Sequence, residues 1–172
     1  ITGKPQACIA QNGPGIANFV SGIAAAYWAH SPVVAITPEA GTGGMGLGGF
    51  QELDQMPMFE KQTVFQVRVP SPDRMADLTR QCFYMAKVEN GPTQLNIPRD
   101  FFYGDIECEI PQPIVIERGA GGEKSLQEAA DLIAQAKNPV IVSGGGVVMS
   151  GAVDECIALA ERLGAPVVNS YL

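Results

Sequence analysis

A turn with the sequence Asn12-Gly13-Pro14-Gly15 stands between a predicted strand and a predicted helix. In a doubly wound sheet this position lies at the carboxyl edge, where ligands bind. A helix N-terminus there could hold a phosphate group, but Pro14 has no N–H to donate and the GxGxxG pattern is absent. A proline flanked by glycines is better suited to close approach of a flat ring than to wrapping an anion. A tight turn that binds no ligand is the alternative.

The second candidate is the segment GGMGLGGFQE at 43–52. It begins within a glycine-rich loop over 39–49, which contains six glycines and runs directly into Phe50 and Gln51. Such a loop can approach a ligand closely. Gln51 could orient a substrate or cofactor through hydrogen bonds without carrying a charge. The acidic residues that follow, Glu52 and Asp54, are expected only to favour the start of the next short helix.

Three other features are weaker candidates. The run Gly144-Gly145-Gly146 predicts a tight turn after a strand. It is not a dinucleotide fingerprint, because Met149 stands where the third glycine would be needed. His30 follows a predicted helix, where a histidine usually just favours the negative end of the helix dipole. With one histidine, and four cysteines outside CxxC spacing, neither a catalytic triad nor a zinc site is supported.

The elements that must position these residues alternate between strands and helices. Short apolar runs predict strands at 6–11, 32–37, 63–69, 93–97, 139–143 and 166–169. Helical spacing of apolar residues predicts helices at 16–29, from Pro72 to about Glu89, from Ser125, and at 152–163. Ser71 could cap the second of these helices, and Ser125 with Glu128 forms a capping box for the third. The alternation predicts an α/β fold with parallel, doubly wound sheets.

The inner faces of two helices can also be predicted from spacing. The first helix is expected to bury Ile16, Phe19, Val20, Ile23 and Tyr27. The third is expected to bury Leu126, Ala129, Ala130 and Ile133. Between these helices, a segment with prolines, glycines and no helical period predicts a linker over 111–123 that joins a domain at 1–110 to a second at 124–172.

Composition excludes several classes of function. A net charge of −7, with scattered basic residues, disfavours nucleic-acid binding. Apolar stretches are interrupted by Gly, Pro or charge before the roughly 20 residues that a membrane span requires. The balance is typical of a cytoplasmic enzyme, and both ends of the chain suggest an interior piece of a larger one.

The segment ITGKPQACIAQNGPGIANFV at 1–20 resembles the thiamine-diphosphate enzymes related to acetolactate synthase. FQE at 50–52 and NIPRD at 96–100 follow in that family's order and spacing. The resemblance implies the thiamine-diphosphate-binding fold, with 1–110 as the later part of the pyrimidine-binding domain. It also implies that residues from 124 form the first half of the central, Rossmann-like domain.

Within the family, AQNGPGI, AYWAHSP and GGFQE resemble the members that act on sulfoacetaldehyde. This implies conversion of sulfoacetaldehyde and phosphate into acetyl phosphate and sulfite, with thiamine diphosphate as the electron sink. Gln51 would be the catalytic residue, facing the cofactor of a partner subunit in a homo-oligomer, either a dimer or a tetramer. The cofactor-binding residues implied are Gly13, Pro14, Gly15, Asn18 and Phe50.

The resemblance also implies Mg²⁺, but it places the metal and diphosphate ligands, and the cofactor-activating glutamate, outside this chain. Two alternatives stay open. One is an acetolactate synthase or another 2-oxo-acid decarboxylase of the same family. The other is a non-catalytic nucleotide-binding module that uses Gly144-Gly145-Gly146.

Overall fold

The computed structural model describes residues 4–117 and 119–171. The chain forms two compact units, Ile1–Ile116 and Glu117–Leu172. The boundary between them falls inside the segment 111–123 that the sequence predicts as a linker.

The first unit contains a sheet of four parallel strands. These are β1 (Gln6–Ile9), β2 (Val33–Glu39), β3 (Phe65–Arg68) and β4 (Thr93–Pro98), arranged in the order β1-β2-β4-β3. All four were predicted, and their ends shift by at most two residues. Because the strands are parallel, their carboxyl ends meet at one edge of the sheet.

Helices cover both faces of this sheet. They are α1 (Pro14–Ala17), α2 (Phe19–Trp28), α3 (Met56–Phe59) and α4 (Met75–Val88), with short 3₁₀ turns at Pro72–Arg74 and Arg99–Phe102. Neighbouring strand residues point to opposite faces. Val34 accordingly packs in the cluster that contains Leu78 and Cys82 of α4, and Ala35 packs with Ile23 and Phe59 on the α2/α3 side. The first sheet is therefore doubly wound, as predicted.

The first predicted helix needs two corrections. It begins at Pro14, two residues earlier than expected, and it divides into α1 and α2 at Asn18. Tyr27 is exposed rather than buried, and its ring meets that of Trp28 edge-on at 6.3 Å between centroids. At the start of α4, Pro72 takes the first position of the 3₁₀ turn, but the Ser71 side chain makes no capping hydrogen bond.

The second unit contains a smaller parallel sheet. Its elements are α5 (Glu123–Ala134), β5 (Ile141–Ser143), α6 (Gly145–Met149), α7 (Val153–Leu163) and β6 (Val167–Asn169), with β5 paired to β6. None of the described residues of this unit is buried. The predicted inner face of the helix is consequently open, and Leu126 is half exposed. Two strands with their helices present too little apolar surface to enclose a core.

Two local predictions for this unit are wrong. Helix α5 begins at Glu123 with Gly122 as its N-cap, so Ser125 lies inside the helix and forms no capping box. Glu128 instead lies 3.7 Å from Lys124 as an i,i+4 ion pair. The glycines at 145 and 146 form the first turn of α6 rather than a tight turn. Across the described part of the chain, no helix has the length and apolarity that crossing a membrane would require.

The turn between α4 and β4 generates a stability prediction. A Cβ at Gly91 would lie 2.6 Å from Val64 Cγ1, an atom of a stiff β-branched side chain. Gly91→Ala should therefore lower the free energy of unfolding by about 1–3 kcal/mol through overpacking, measured by urea denaturation. Gly22→Ala is the matched control, because a Cβ there meets nothing within 4 Å and removing a helix glycine should stabilise by about 0.5–1 kcal/mol. Equal stability of the two variants would contradict the packing described here.

Candidate functional site

The turn after β1 depends on a glycine at position 13. Gly13 is buried and has φ 68° and ψ −114°, a conformation that L side chains rarely adopt. A Cβ at this position would lie 2.4 Å from the main-chain oxygen of Gln51. The turn and the segment around Gln51 therefore pack together without space for any side chain at Gly13.

Gln51 is held against this turn by two further contacts. Asn12 Nδ2 donates to the Gln51 main-chain oxygen at 3.1 Å, and Gln11 Nε2 donates to Gln51 Oε1 at 2.6 Å. Gln51 itself has φ 58°, which is uncommon for a residue other than glycine. Its own Nε2 has no hydrogen-bond partner among the described residues. The side chain thus presents a neutral donor from a fixed position.

Gln55, which sequence reasoning did not single out, joins three strand ends beneath the turn. Its side chain is fully buried, and its Oε1 accepts the Gly13 N–H at 2.9 Å. Its Nε2 donates to the Pro38 carbonyl at 2.7 Å and to Asn96 Oδ1 at 3.3 Å. These contacts link the residues that follow β1 to the carboxyl ends of β2 and β4.

The Gln55 side chain is part of a buried polar layer, which consists of Thr37, Gln55, Gln94 and Asn96. Gln94 Nε2 donates to Thr37 Oγ1 at 3.0 Å, and the Thr37 hydroxyl donates to Asn96 Oδ1 at 2.7 Å. At the far end, Gln66 Nε2 donates to Gln94 Oε1 at 2.6 Å. Buried polar groups require partners, and this chain of bonds supplies nearly all of them. Asn96 Nδ2 alone in the layer has none among the described residues.

An ion pair lies near the same edge of the sheet. Glu39, at the end of β2, is almost fully buried, and its Oε1 lies 2.8 Å from Arg68 Nε at the end of β3. Within the part of the chain that the structure describes, Glu39 Oε1 accepts no hydrogen bond. The contact is therefore electrostatic, and it offsets the burial of the carboxylate.

Two carboxylates fix the glycine-rich loop. Asp100 accepts hydrogen bonds from the Thr42 main-chain N–H at 3.0 Å and from its hydroxyl at 2.5 Å. Glu52 accepts the main-chain N–H groups of Gly46 and Gly49. The Thr42 hydroxyl holds the pKa of Asp100 below its usual value, and the Gly46 N–H does the same for the pKa of Glu52. Hydrogen bonding stabilises the charged form of both groups.

This geometry corrects the prediction for Glu52 and Asp54. Neither residue lies in the first turn of α3, which contains no acidic side chain and begins after Gln55. Glu52 binds the loop that precedes it instead. The loop glycines leave several main-chain N–H groups without helix or sheet partners, and a nearby carboxylate is a strong acceptor for them.

The predicted cofactor-binding residues differ from one another in their solvent exposure. Gly13 is buried and Gly15 is half-buried, whereas Pro14, Asn18 and Phe50 are exposed, with 83% of the Phe50 surface accessible. Of the predicted set, contacts bring Gly13 and Gln51 together, and Phe50 adjoins Gln51 along the chain. Pro14 and Asn18 lie at the two ends of α1.

The chemistry of this surface suits a neutral heterocycle better than an anion. The Gly13 N–H is already bound by Gln55, and Pro14 has none, so two successive positions of the turn offer no donor to a phosphate. The exposed groups are main chain, a proline ring, an amide and an aromatic ring, which a flat uncharged ring can contact. The residues present therefore fit an aminopyrimidine and do not fit a diphosphate. Within the described ranges, no group of three His, Cys, Asp or Glu side chains could hold a metal ion.

A cavity lies elsewhere in the first unit. It has a volume of about 620 Å³ and runs between α4 and the segment 106–116, with an apolar lining that includes Phe83 and Ile110. Helix α4 covers the face of the sheet opposite the polar layer. The cavity consequently takes no part in the arrangement around Gly13.

The Gly13 turn generates a test of its own. Gly13→Ala should strain the backbone by about 1–3 kcal/mol and displace Gln51, so the free energy of unfolding should fall and amide exchange in the segment 41–55 should accelerate. Gly15→Ala is the matched control, since its Cβ would meet Ala10 Cβ at an ordinary 3.4 Å. Hydrogen–deuterium exchange and urea denaturation measure both effects. Similar behaviour of the two variants would show that the turn tolerates a side chain at position 13.

Comparison with known proteins identifies the family of this chain. Residues 1–58 match the N-terminal TPP binding domain of thiamine pyrophosphate enzymes, and residues 126–172 match the central domain of the same enzymes. Together the two matches cover more than half of the chain. A solved structure, the thiamine diphosphate-dependent 4-hydroxybenzoylformate decarboxylase of Rhodococcus jostii RHA1, is similar in fold with a TM-score of 0.89 and 19% identity. The similarity covers 99% of this chain and 33% of that one.

Curated relatives match over the whole length of the chain. The sulfoacetaldehyde acetyltransferase of Castellaniella defragrans is 64% identical and that of Alcaligenes xylosoxydans xylosoxydans is 62% identical, each over 172 residues. A probable acetolactate synthase large subunit of Methanocaldococcus jannaschii is 34% identical over 179 residues and 99% of this chain. The chain spans only 29%, 28% and 30% of the lengths of these relatives.

The α/β fold expected from the sequence, with its doubly wound parallel sheet, is the fold of these enzymes. This chain belongs to the thiamine pyrophosphate enzyme family.

Proposed function

We propose that the complete enzyme containing this chain converts sulfoacetaldehyde and phosphate into acetyl phosphate and sulfite. The observation that carries the proposal is the 64% identity to a relative named for acetyl transfer from sulfoacetaldehyde, against 34% for the acetolactate synthase relative. The cofactors would be thiamine diphosphate and Mg²⁺, and the location cytoplasmic. The reaction is balanced without an external oxidant, because the carbonyl carbon is oxidised as the carbon–sulfur bond is reductively cleaved.

The part of this chain in that enzyme would be to hold the aminopyrimidine ring. Gly13, Pro14 and Gly15 provide an uncharged turn, and Asn18 and Phe50 add an exposed amide and an exposed ring. Bound thiamine diphosphate supplies a nucleophilic carbon and an electron sink. The Mg²⁺ and diphosphate ligands would come from other parts of the complete enzyme, since the turn lacks the donors that an anion requires.

Gln51 would act on the substrate as the catalytic residue. Gln11 and Asn12 fix it, and its Nε2 is available to donate to an oxygen on which negative charge develops. A neutral amide neither repels the anionic sulfonate nor binds phosphate so tightly that release becomes slow. In a homo-oligomer, either a dimer or a tetramer, Gln51 would face the cofactor bound mainly by the partner subunit.

The substrate assignment is tested by product analysis of the complete enzyme. Sulfite and acetyl phosphate should form in equal amounts from sulfoacetaldehyde, and only when thiamine diphosphate, Mg²⁺ and phosphate are all present. Pyruvate is the comparison substrate. Acetolactate from pyruvate without sulfite from sulfoacetaldehyde would replace the proposal with an acetolactate synthase. Thermal stabilisation by nucleotides, and none by thiamine diphosphate, would favour the nucleotide-binding alternative.

The role of Gln51 predicts a loss of turnover in a single variant. Gln51→Ala should lower kcat by about 100-fold or more, because a donor to developing charge is removed. Gln62→Ala is the control, since Gln62 follows α3 and its side chain donates to the Met58 carbonyl rather than to the Gly13 turn. Steady-state rates of sulfite release, with the cofactor saturating, measure both. An unchanged rate for Gln51→Ala would exclude an active-site role.

A further inference from the structure

We propose that Gln55 is a positioning residue, which sets the Gly13 turn in the conformation that receives the cofactor ring. This inference rests on the proposed function, since it assigns a residue to the same site. Gln55 would not touch the cofactor. It would act through the Gly13 main chain, on the side of the turn that faces the buried polar layer.

The geometry gives the Gln55 amide one orientation. Its Nε2 has two acceptors, the Pro38 carbonyl and Asn96 Oδ1, and its Oε1 has one donor, the Gly13 N–H. Exchanging oxygen and nitrogen would place donor against donor and acceptor against acceptor. The Thr37 hydroxyl also donates to Asn96 Oδ1, so that this oxygen is presented to Gln55 as an acceptor.

The Gly13 N–H needs this partner. Gly13 is buried, and a buried N–H without an acceptor costs about 1–3 kcal/mol. No other acceptor for this N–H is recorded in the described residues. Without Gln55, a rotation of the Gly13 peptide toward water would lower the free energy of the turn. Such a rotation would move the main chain on which the heterocycle is proposed to rest.

Hydrogen bonds to the main chain at Gln55 and Met56 hold Gln55 in place. Gln55 immediately precedes α3, its main-chain oxygen accepts from Gln94 Nε2 at 3.5 Å, and the neighbouring Met56 carbonyl accepts from Gln66 Nε2 at 2.8 Å. A buried network in which all but one of the polar side-chain groups are hydrogen-bonded strongly favours a single arrangement. The polar layer therefore fixes the position of the Gly13 turn relative to the ends of β1, β2 and β4.

Three variants of the complete enzyme separate positioning from general stability. Gln55→Met keeps the volume and removes every side-chain hydrogen bond. Gln55→Glu retains an acceptor for the Gly13 N–H and loses the donors to Pro38 and Asn96. Gln66→Met is the matched control, because Gln66 binds the far end of the polar layer and does not contact the Gly13 turn.

Two measurements are needed, and one of them requires no cofactor. In the apo-enzyme, hydrogen–deuterium exchange of the peptide 11–17 should accelerate in Gln55→Met, less in Gln55→Glu, and not in Gln66→Met. In calorimetry with thiamine diphosphate and Mg²⁺, Gln55→Met should raise the Kd about tenfold, as expected for one lost buried hydrogen bond. Gln66→Met should leave the Kd within about twofold of the parent value while lowering the melting temperature to a similar extent.

The possible outcomes are distinct. Exchange and Kd that change in Gln55→Met but not in Gln66→Met, with partial rescue by Gln55→Glu, support the inference. Equal changes in Gln55→Met and Gln66→Met would show that Gln55 has only a structural role, and this outcome would overturn the inference. Unchanged exchange and Kd in Gln55→Met would overturn it as well. If Gln55→Met does not fold, the exchange and Kd of Gln55→Glu against Gln66→Met decide. A parent enzyme that binds no thiamine diphosphate overturns the proposed function together with this inference, whereas normal parent binding with an unaffected Gln55→Met overturns this inference alone.

Discussion

The hydrogen bond from the Gly13 N–H to Gln55 Oε1 connects the end of β1 to the residue that precedes α3. It satisfies a buried donor that has no place in a helix or a sheet ladder, and it depends on a conformation open only to glycine. Because the Gln51 main chain packs directly against Gly13, this bond also determines where the glycine-rich loop returns to the sheet. The turn, the loop and the start of α3 consequently form one arrangement.

The two faces of the first sheet serve different purposes. On the α4 face, β2 and β4 present Val34, Leu95 and Ile97 to the larger of the two apolar clusters, which contributes hydrophobic stabilisation to the unit. On the α2/α3 face, the same strands present the buried polar side chains of Thr37, Gln94 and Asn96. Apolar packing tolerates small rearrangements, whereas a hydrogen-bonded polar network favours one geometry. The face that contacts the Gly13 turn is the one with the more specific interactions.

The charged groups at this edge bind the protein itself. Asp100 and Glu52 hold the loop, and Glu39 pairs with Arg68. Asp100 and Glu52 keep their charge but are bound by hydrogen-bond donors of the loop, and the side chains recorded in contact with the Gly13 turn itself are neutral amides. The neutral groups at the turn are those that the proposed function assigns to the uncharged ring of the cofactor.

The sequence alone determined the order of strands and helices, the parallel sheet and the location of the Gly13 turn at its carboxyl edge. Periodicity and glycine–proline punctuation are local, so a single chain reveals them. It did not determine the start of α5, because Gly122 and Ser125 both lie at sites where a helix can begin. Nor could it identify Gln55, whose partners Gly13, Pro38 and Asn96 are 42, 17 and 41 residues away along the chain. Only the parallel sheet, by gathering the ends of β1, β2 and β4 at one edge, brings those four residues into hydrogen-bonding distance.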